Sequence, residues 1–314
     1  MDVKTPSTLR EAITHFSDLD NCVAYMATKR WPNGVACPVC QSTKVTYDAT
    51  ARRWQCASHH PKRKFSLKTG TVLEDSPIGL DKWLPVMWLV SNCKNGVSSW
   101  EIHRHVGVTQ KTAWFMLQRA RLALQGKTGG KLSGEIEADE TLIGAKARNM
   151  HAGKREKARN LDNFGKTIVA AVLERGGEVR AKVVKTRRKN ELHKLVCENV
   201  ETGSVVYTDE LLSYDALNAD FTHEVINHAE TYVNGQIHTN GIENFWSLLK
   251  RSVKDTYVSV QPFHLHRYID EQAFRFNNRK DMNDAERFDL AVSQIVGKRL
   301  TYTELTGHAN DEPF

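Results

Sequence analysis

Residues 135–140 read Glu-Ile-Glu-Ala-Asp-Glu, and this alternation predicts the central strand of a sheet. In a strand, the two apolar side chains of this stretch face one way and three acidic side chains face the other, namely Glu135, Glu137 and Asp139. Several acids on one side of a buried strand are unfavourable unless solvent or cations neutralise them. The stretch therefore predicts a sheet and a candidate cation site on one of its faces.

The segments downstream of this strand predict the rest of an α/β domain. Residues 167–173 and 179–184 are strand-like and are joined through Gly176-Gly177, as in a hairpin. Further helices and strands are predicted at 190–200, 204–208, near Tyr214, 224–227, 242–254 and 262–278. The order βββαβαβα with mixed strand pairing predicts a three-layer α/β fold.

Two more acidic residues stand at the ends of elements in this domain. Asp209 directly follows the apolar strand 205–207, at the carboxyl end where α/β sheets present functional groups. Glu243 opens the helix over 242–254. Each acid alone is more often a strand end, a helix cap or part of a solvated face. Together, Asp139, Asp209 and Glu243 predict a site for Mg²⁺ ions, which bind carboxylate oxygens and promote in-line phosphoryl displacement.

Two short knuckles, Cys37-Pro-Val-Cys40 and Cys56-Ala-Ser-His59, lie in a segment rich in turn formers. Residues 35–70 contain too little apolar sequence to bury a core, so a bound metal would supply the missing stability. The spacing predicts a structural Zn²⁺ site with the ligands Cys37, Cys40, Cys56 and His59. His60 is an alternative fourth ligand. Ordinary buried or surface cysteines are the simpler interpretation, which the second knuckle weakens.

Residues 80–124 carry the periodicity of three helices, broken at Asn95-Gly96 and at Gly107. The last two predict a helix-turn-helix whose second helix, from Thr109 to Leu124, begins with Gln110 and Lys111, where base contacts usually arise. Further candidate DNA contacts on that helix are Arg119 and Arg121. A connector helix with an apolar core would explain the same pattern without DNA.

The composition is that of a globular protein with more than one core, since 40% of the 314 residues are hydrophobic. Lysine and arginine outnumber aspartate and glutamate by 44 to 37, and basic residues concentrate at 44–68 and 146–166, which favours an anionic partner. Six cysteines without a secretion signal do not predict a disulfide framework. Because no apolar run is long enough to span a bilayer, we expect a soluble, cytoplasmic protein.

Several stretches resemble a known family. They are Arg30-Trp-Pro-Asn-Gly34, Cys37-Pro-Val-Cys40, Phe65-Ser-Leu-Lys-Thr-Gly-Thr71, Glu137-Ala-Asp-Glu140, Tyr207-Thr-Asp209 and His238-Thr-Asn-Gly-Ile-Glu-Asn-Phe-Trp-Ser-Leu-Leu-Lys-Arg251. Over most of residues 15–280 the chain is similar to insertion-sequence transposases of the DDE superfamily, in the ISXO-like group with an amino-terminal zinc ribbon. The last stretch is the most specific.

This resemblance implies a ribonuclease-H-like catalytic domain that cleaves and transfers DNA strands with Mg²⁺ or Mn²⁺. It also implies partners: double-stranded DNA, as terminal inverted repeats and as target, and further protomers of the same chain. With the sequence pattern, it divides the chain into a helical lead-in at 1–36, a zinc ribbon at 37–70, a helix-turn-helix-like region at 71–130, the catalytic domain at 131–280 and a helical tail at 281–314. Within the lead-in, the sequence itself predicts Ser7 and Ser17 as helix N-caps. A non-catalytic DNA-binding regulator, a nuclease without joining activity and an inactive remnant are the alternatives.

The resemblance also assigns roles by position. Asp139 and Asp209 match the family's first two acids, and Glu243 matches the third. Members of the group vary at the third acid, so three neighbours remain alternatives, namely Asn240, Asn244 and His238. Lys250 matches a downstream lysine and is interpreted, with Arg251, as a phosphate contact. In the family the second knuckle is similar to CxxC, whereas this chain has Cys56 to His59. Because sites with three cysteines and one histidine also bind zinc, this difference affects the identity of the fourth ligand more than the prediction of a metal.

Overall fold

The computed structural model describes residues 5–126, 129–144, 150–159, 163–209, 221–226 and 238–307. The chain divides into two compact units, Met1–Gly126 with Asn278–Pro313, and Lys127–Asn277. Within the described ranges, none of the helices combines the length and the apolar composition that crossing a bilayer requires.

The first unit begins with two short helices, α1 (Leu9–Phe16) and α2 (Leu19–Arg30). Their N-caps are Thr8 and Asp18, each one residue beyond the predicted Ser7 and Ser17, and each accepts a backbone N–H of its own first turn. Ser7 instead donates to the Glu11 carboxylate over 2.8 Å. The predicted helices are therefore present, with their first caps shifted by one position.

A small antiparallel sheet follows, formed by β1 (Val45–Asp48), β2 (Arg53–Cys56) and β3 (Lys64–Phe65). Its core is aromatic: the rings of Trp31 and Trp54 lie 5.3 Å apart, and Trp54 stacks on Phe65 at 6.0 Å. The Arg30 guanidinium donates to the carbonyls of Leu67 and Thr69 over 2.6 and 2.5 Å. Residues of the Arg30–Gly34 and Phe65–Thr71 stretches therefore pack the core of this sheet and hold the loop after β3 in place.

Three helices continue the unit: α3 (Leu80–Asn92), α4 (Ser99–Val106) and α5 (Gln110–Leu124). A capping box between Ser98 and Glu101 begins α4, and Gly107 ends it with a φ of +63°, a conformation that glycine adopts without strain. The three helices predicted for this region are thus present, with α4 and α5 joined by the short turn of a helix-turn-helix.

The first unit also contains the carboxyl-terminal helices α10 (Asp284–Ser293) and α11 (Tyr302–Thr306). Phe288 stacks on Tyr25 with ring centres 5.6 Å apart, and the Asp289 carboxylate accepts from the Lys29 ammonium over 2.6 Å. The sequence predicted a helical tail at 281–314. In the structure, the described part of this segment, residues 278–307, belongs to the first unit because α10 supplies part of its core.

The described residues of the second unit form five strands: β4 (Glu135–Ile143), β5 (Thr167–Glu174), β6 (Val179–Val184), β7 (Val205–Asp209) and β8 (Thr222–Ile226). They form one sheet in the order β6-β5-β4-β7-β8, antiparallel among the first three and parallel among the last three. The acidic stretch therefore forms the central strand, as predicted. The predicted helix near Tyr214 and the end of the strand at residue 227 lie outside the described residues.

Helices cover both faces of this sheet. Helix α7 (Lys189–Asn199) packs on the face that carries Ile136 and Ala138. The opposite face packs against α8 (Asn240–Arg251) and α9 (Leu265–Asn277), which are joined through a π-helical turn at Ser252–Thr256 and a 3₁₀ turn at Pro262–His264. A further helix, α6 (Ala152–Arg159), follows β4 and precedes β5 in the sequence. The predicted three-layer mixed α/β fold is confirmed.

Candidate active site and zinc centre

Asp139 and Asp209 lie on neighbouring parallel strands. The pairing of β4 with β7 matches Glu135 to Val205 and Glu137 to Tyr207, a constant offset of 70 residues. Continued by two residues, the same offset places Asp139 level with Asp209. Side chains at the same level of adjacent strands point to the same face, so the sheet brings these two carboxylates together.

Asp139 is held from two sides. The Trp246 indole N–H, on α8, donates to one carboxylate oxygen over 2.9 Å, and the Glu140 backbone N–H donates to the other over 2.7 Å. Burial, with a smaller contribution from the charges of Asp209 and Glu243, raises the pKa of Asp139 to about 6 against the lowering effect of these two hydrogen bonds. Both predicted partner acids therefore make ionisation of Asp139 less favourable.

Glu243 lies in the first turn of α8 and is exposed. Its carboxylate accepts from the Thr239 hydroxyl over 3.3 Å. Among the alternatives for the third acid, Asn240 and Asn244 are exposed on the same helix, whereas His238 places Nδ1 3.6 Å from a carboxylate oxygen of Glu137. The charge of Glu243 raises the pKa of Asp139, and the assignment of the third position to Glu243 stays a prediction beside Asn240, Asn244 and His238.

Carboxylate oxygens are the ligands that a hard divalent cation prefers, but in the described ranges these three acids do not form a group whose ligand atoms all lie within 4.8 Å of one another. Asp139 accepts one N–H at each oxygen, so each oxygen keeps a lone pair for a metal. Neighbouring carboxylates that raise the pKa of Asp139 repel one another when ionised, and a cation removes that repulsion. Mg²⁺ and Mn²⁺ bind such oxygen donors.

The metal-binding cluster in the first unit consists of Cys37, Cys40, Cys56 and His60, whose ligand atoms all lie within 4.8 Å of one another. The sulfurs of Cys40 and Cys56 are 3.6 Å apart, and the Cys37 sulfur is 3.4 Å from Nε2 of His60. A tetrahedral zinc site has S···S edges of about 3.8 Å and S···N edges of about 3.6 Å from its usual bond lengths. The donor set and its spacing therefore fit Zn²⁺.

The predicted fourth ligand, His59, is replaced in this cluster by His60. His59 is exposed, whereas His60 is partly buried with its Nε2 directed at the Cys37 sulfur. His60, which the sequence left as the alternative, therefore supplies the fourth ligand atom of the cluster.

Of the DNA contacts predicted on α5, two lie near its amino end at the surface and two are buried. Gln110 begins α5 and donates to the Ser99 hydroxyl over 2.8 Å, and Lys111 is exposed with its ammonium 5.4 Å from the centre of the Tyr302 ring. Arg119, predicted as a DNA contact, is only 6% exposed and donates to the Glu74 carbonyl over 2.8 Å. Arg121 is also buried. Both arginines lie on the packed side of α5, so the assignment of Arg119 to a DNA contact is corrected.

Lys250 and Arg251 are exposed in the last turn of α8. Lys250 follows Glu243 by seven residues, two helical turns, so both lie on one side of the helix. The predicted phosphate contacts therefore lie on the helix that carries the third acid.

Sequence reasoning did not assign a role to Glu137 or Arg175. Glu137 is 1% exposed, and its carboxylate lies 3.1 Å from Nε of Arg175. The alternation of β4 already placed Glu137 on the face of Asp139, but its partners come from a hairpin turn and from α8. Those partners have no signature in the sequence around Glu137.

The chain matches two family models. Residues 131–277 match the ISXO2-like transposase domain, and residues 18–59 match the transposase zinc-ribbon domain. An uncharacterized protein in transposable element ISH50 of Halobacterium salinarum is 29% identical over 240 residues, which are 72% of this chain and 80% of that protein. An uncharacterized transposase-like protein of Haemophilus influenzae is 36% identical over 85 residues, 27% of this chain and 68% of that protein.

A solved structure gives a much weaker likeness. A chain in the cryoEM structure of the simian T-cell lymphotropic virus intasome in complex with PP2A regulatory subunit B56 gamma has a TM-score of 0.29 and 13% identity. The match covers 55% of this chain and 63% of that chain. A TM-score this low does not define a common fold.

Proposed function

Because the chain belongs to the transposases that combine a transposase zinc-ribbon domain with an ISXO2-like transposase domain, we propose that it cleaves DNA strands at the ends of an insertion sequence and joins them to target DNA. The observation that supports this proposal is that the register of β4 and β7 continues to Asp139 beside Asp209, and that the charges of Asp209 and Glu243 both raise the pKa of Asp139. Strand cleavage and strand transfer are then one reaction type with different oxygen nucleophiles.

Asp139, Asp209 and Glu243 would hold the divalent cations. Mg²⁺ or Mn²⁺, when bound, activates the attacking oxygen and neutralises charge on the leaving oxygen. The protein's own contribution is to orient the donors: Asp139 is fixed by Trp246 and by the Glu140 backbone before any cation arrives. Preorganised charge of this kind accelerates phosphoryl transfer because little reorganisation is needed in the transition state.

DNA would be bound by both units. Lys250 and Arg251 lie exposed on the helix of Glu243 and are placed to bind phosphates near the reacting bond. Gln110 and Lys111, at the amino end of α5, are placed to reach base edges. The zinc ribbon would add contacts to the element ends, and two such ends imply at least two protomers in the working assembly.

The proposal is tested by a Mg²⁺-dependent strand-transfer assay on DNA carrying the element's own ends. The wild-type chain is compared with Asp209→Asn and with Glu201→Gln, an exposed acid just before β7 that serves as a matched control. We expect joined product from the wild type and the control, and at least a hundredfold loss in Asp209→Asn with end binding retained.

Each other outcome has a definite meaning. Cleavage without joining would replace the transposase proposal with a nuclease. End binding without cleavage by the wild type would indicate a regulator or an inactive remnant. Equal activity of Asp209→Asn and wild type would overturn the assignment of the three acids.

A further inference from the structure

The Glu137 carboxylate connects three parts of the second unit. One oxygen lies 3.1 Å from Nε of Arg175, which follows β5, and the other accepts the backbone N–H of Ile242 over 2.8 Å. Arg175 is itself fixed, since its backbone N–H donates to the Glu135 carbonyl over 2.9 Å and its guanidinium lies 4.1 Å from the centre of the Tyr207 ring. Both oxygens of a fully buried acid are therefore occupied by donors from the surrounding fold.

This ion pair occupies the start of α8. Ile242 is the third residue of the helix, and its N–H is among those that the helix itself leaves unpaired. In the described chain, the N-cap Thr239 gives α8 no side-chain cap and instead donates to Glu243. Arg175 donates to the His238 carbonyl over 2.6 Å, the group four residues before Ile242. Glu137 and Arg175 thus bind an N–H and a carbonyl that a continuing helix would have paired with each other.

Gly241 makes this close approach possible. A Cβ at position 241 would lie 2.8 Å from a carboxylate oxygen of Glu137 and 3.1 Å from Cδ2 of Leu173. Glycine is a poor residue inside a helix compared with alanine. Its presence between Asn240 and Ile242 is explained by the buried carboxylate against which this turn rests.

We propose that Glu137 is a positioning residue: with Arg175, it anchors the first turn of α8 to β4 and so sets where Glu243 lies relative to Asp139. Glu137 is two residues from Asp139 on the same face of β4, and Ile242 directly precedes Glu243. A shift of the Ile242 backbone is therefore transmitted to Glu243 through a single peptide unit. The consequence for DNA cleavage rests on the proposed function, whereas the anchoring does not.

Glu137→Gln tests the proposal. A carboxylate accepts at both oxygens, whereas an amide has one acceptor and one donor group, so the substituted side chain can satisfy Ile242 or Arg175 but not both. Glu135→Gln is the matched control, because Glu135 shares the Arg175 partner at 3.5 Å but bonds to Tyr207 in β7 rather than to α8. Gly241→Ala is a second variant that displaces the turn while keeping the carboxylate.

Two readouts on the full zinc-loaded chain avoid dependence on catalysis. The first is amide hydrogen exchange in the first turn of α8. The second is titration with Tb³⁺, a hard cation whose emission is sensitised by a nearby indole; Trp246 is bonded to Asp139, and the other six tryptophans lie at position 114 or before. We expect exchange to be faster and Tb³⁺ affinity to fall by about tenfold in Glu137→Gln and in Gly241→Ala, as for other residues that orient metal ligands.

The outcomes separate this inference from the proposed function. Wild-type exchange and wild-type Tb³⁺ affinity in Glu137→Gln would overturn the positioning role, as would equal losses in Glu135→Gln. A wild-type chain that shows the expected differences but cuts no DNA would remove the proposed function and leave the anchoring established. If Glu137→Gln does not fold, Gly241→Ala decides: faster exchange in α8 supports the proposal, and unchanged or slower exchange contradicts it.

Discussion

Trp246 donates its indole N–H to the Asp139 carboxylate over 2.9 Å, and this hydrogen bond connects α8 to the central strand β4. The bond favours the ionised acid, while burial and the charges of Asp209 and Glu243 oppose ionisation. The pKa of Asp139 near 6 is the balance of these effects. A carboxylate held in this way is oriented for a cation yet unfavourable without one, and the first two predictions follow from that balance.

Removing the charge of Asp139 should stabilise the metal-free protein. Its folded pKa of about 6 lies above the ordinary value of 3.8, so the acid loses its proton more readily in the unfolded chain, and the free energy of unfolding falls as pH rises from 3.8 to 6. The difference between these two pKa values corresponds to at most about 3 kcal/mol. An amide at position 139 can accept only one of the two N–H groups that Asp139 accepts, a cost present at every pH, so we expect the melting temperature of Asp139→Asn relative to the wild type to be higher at pH 7.5 than at pH 3.5. An equal effect at both pH values would contradict the charge argument.

Replacing the indole donor should change the pH dependence of cation binding. In Trp246→Phe the hydrogen bond that lowers the pKa of Asp139 is lost, so protons compete with the cation at higher pH. The Mn²⁺ binding constant is measured by calorimetry between pH 5 and 8. It should reach half of its high-pH value near pH 6 in the wild type and at a higher pH in the variant. Trp100→Phe, an exposed tryptophan of α4, should leave the profile unchanged. An unshifted profile in Trp246→Phe would argue against the bond.

The two adjacent histidines of the ribbon should differ in their effect on zinc. His60 contributes Nε2 to the cluster and His59 is exposed, so His60→Ala should weaken zinc binding by at least tenfold while His59→Ala keeps one zinc per chain. The measurement is zinc retention against a colorimetric chelator, with melting of the first unit as a second readout. The reverse order of the two variants would restore the original assignment to His59.

Substitutions of Arg119 and Lys111 should have different effects, the first on stability and the second on DNA binding. Arg119→Ala leaves the Glu74 carbonyl without its donor and removes a buried side chain, which should cost about 2 kcal/mol or more of stability. Lys111→Ala should leave the melting temperature within a degree, weaken end binding and relax its preference for the base that Lys111 contacts. Normal stability in Arg119→Ala, with weaker DNA binding, would return Arg119 to the interface.

The predictions from sequence succeeded where a pattern repeats within one element. The alternation of residues 135–140 correctly indicated which side chains of β4 share a face. The predictions failed for α5, because the sequence does not show which side of this helix packs and which side could contact DNA. On α5, Arg119 carries the charge expected of a DNA contact, yet it is buried, where it donates to the Glu74 carbonyl and lies over the ring of Phe115 on the same helix.

The sequence by itself determined the kinds of elements, the face of β4 that carries acids, the cysteine ligands and the family, because each follows from local periodicity, spacing or motif. The tertiary structure decided which histidine reaches the cysteines, that α10 completes the first unit, and that Glu137 caps α8 with the help of Gly241. Those relationships join residues far apart in the chain. They depend on the register and packing of whole elements, which no short stretch of sequence encodes.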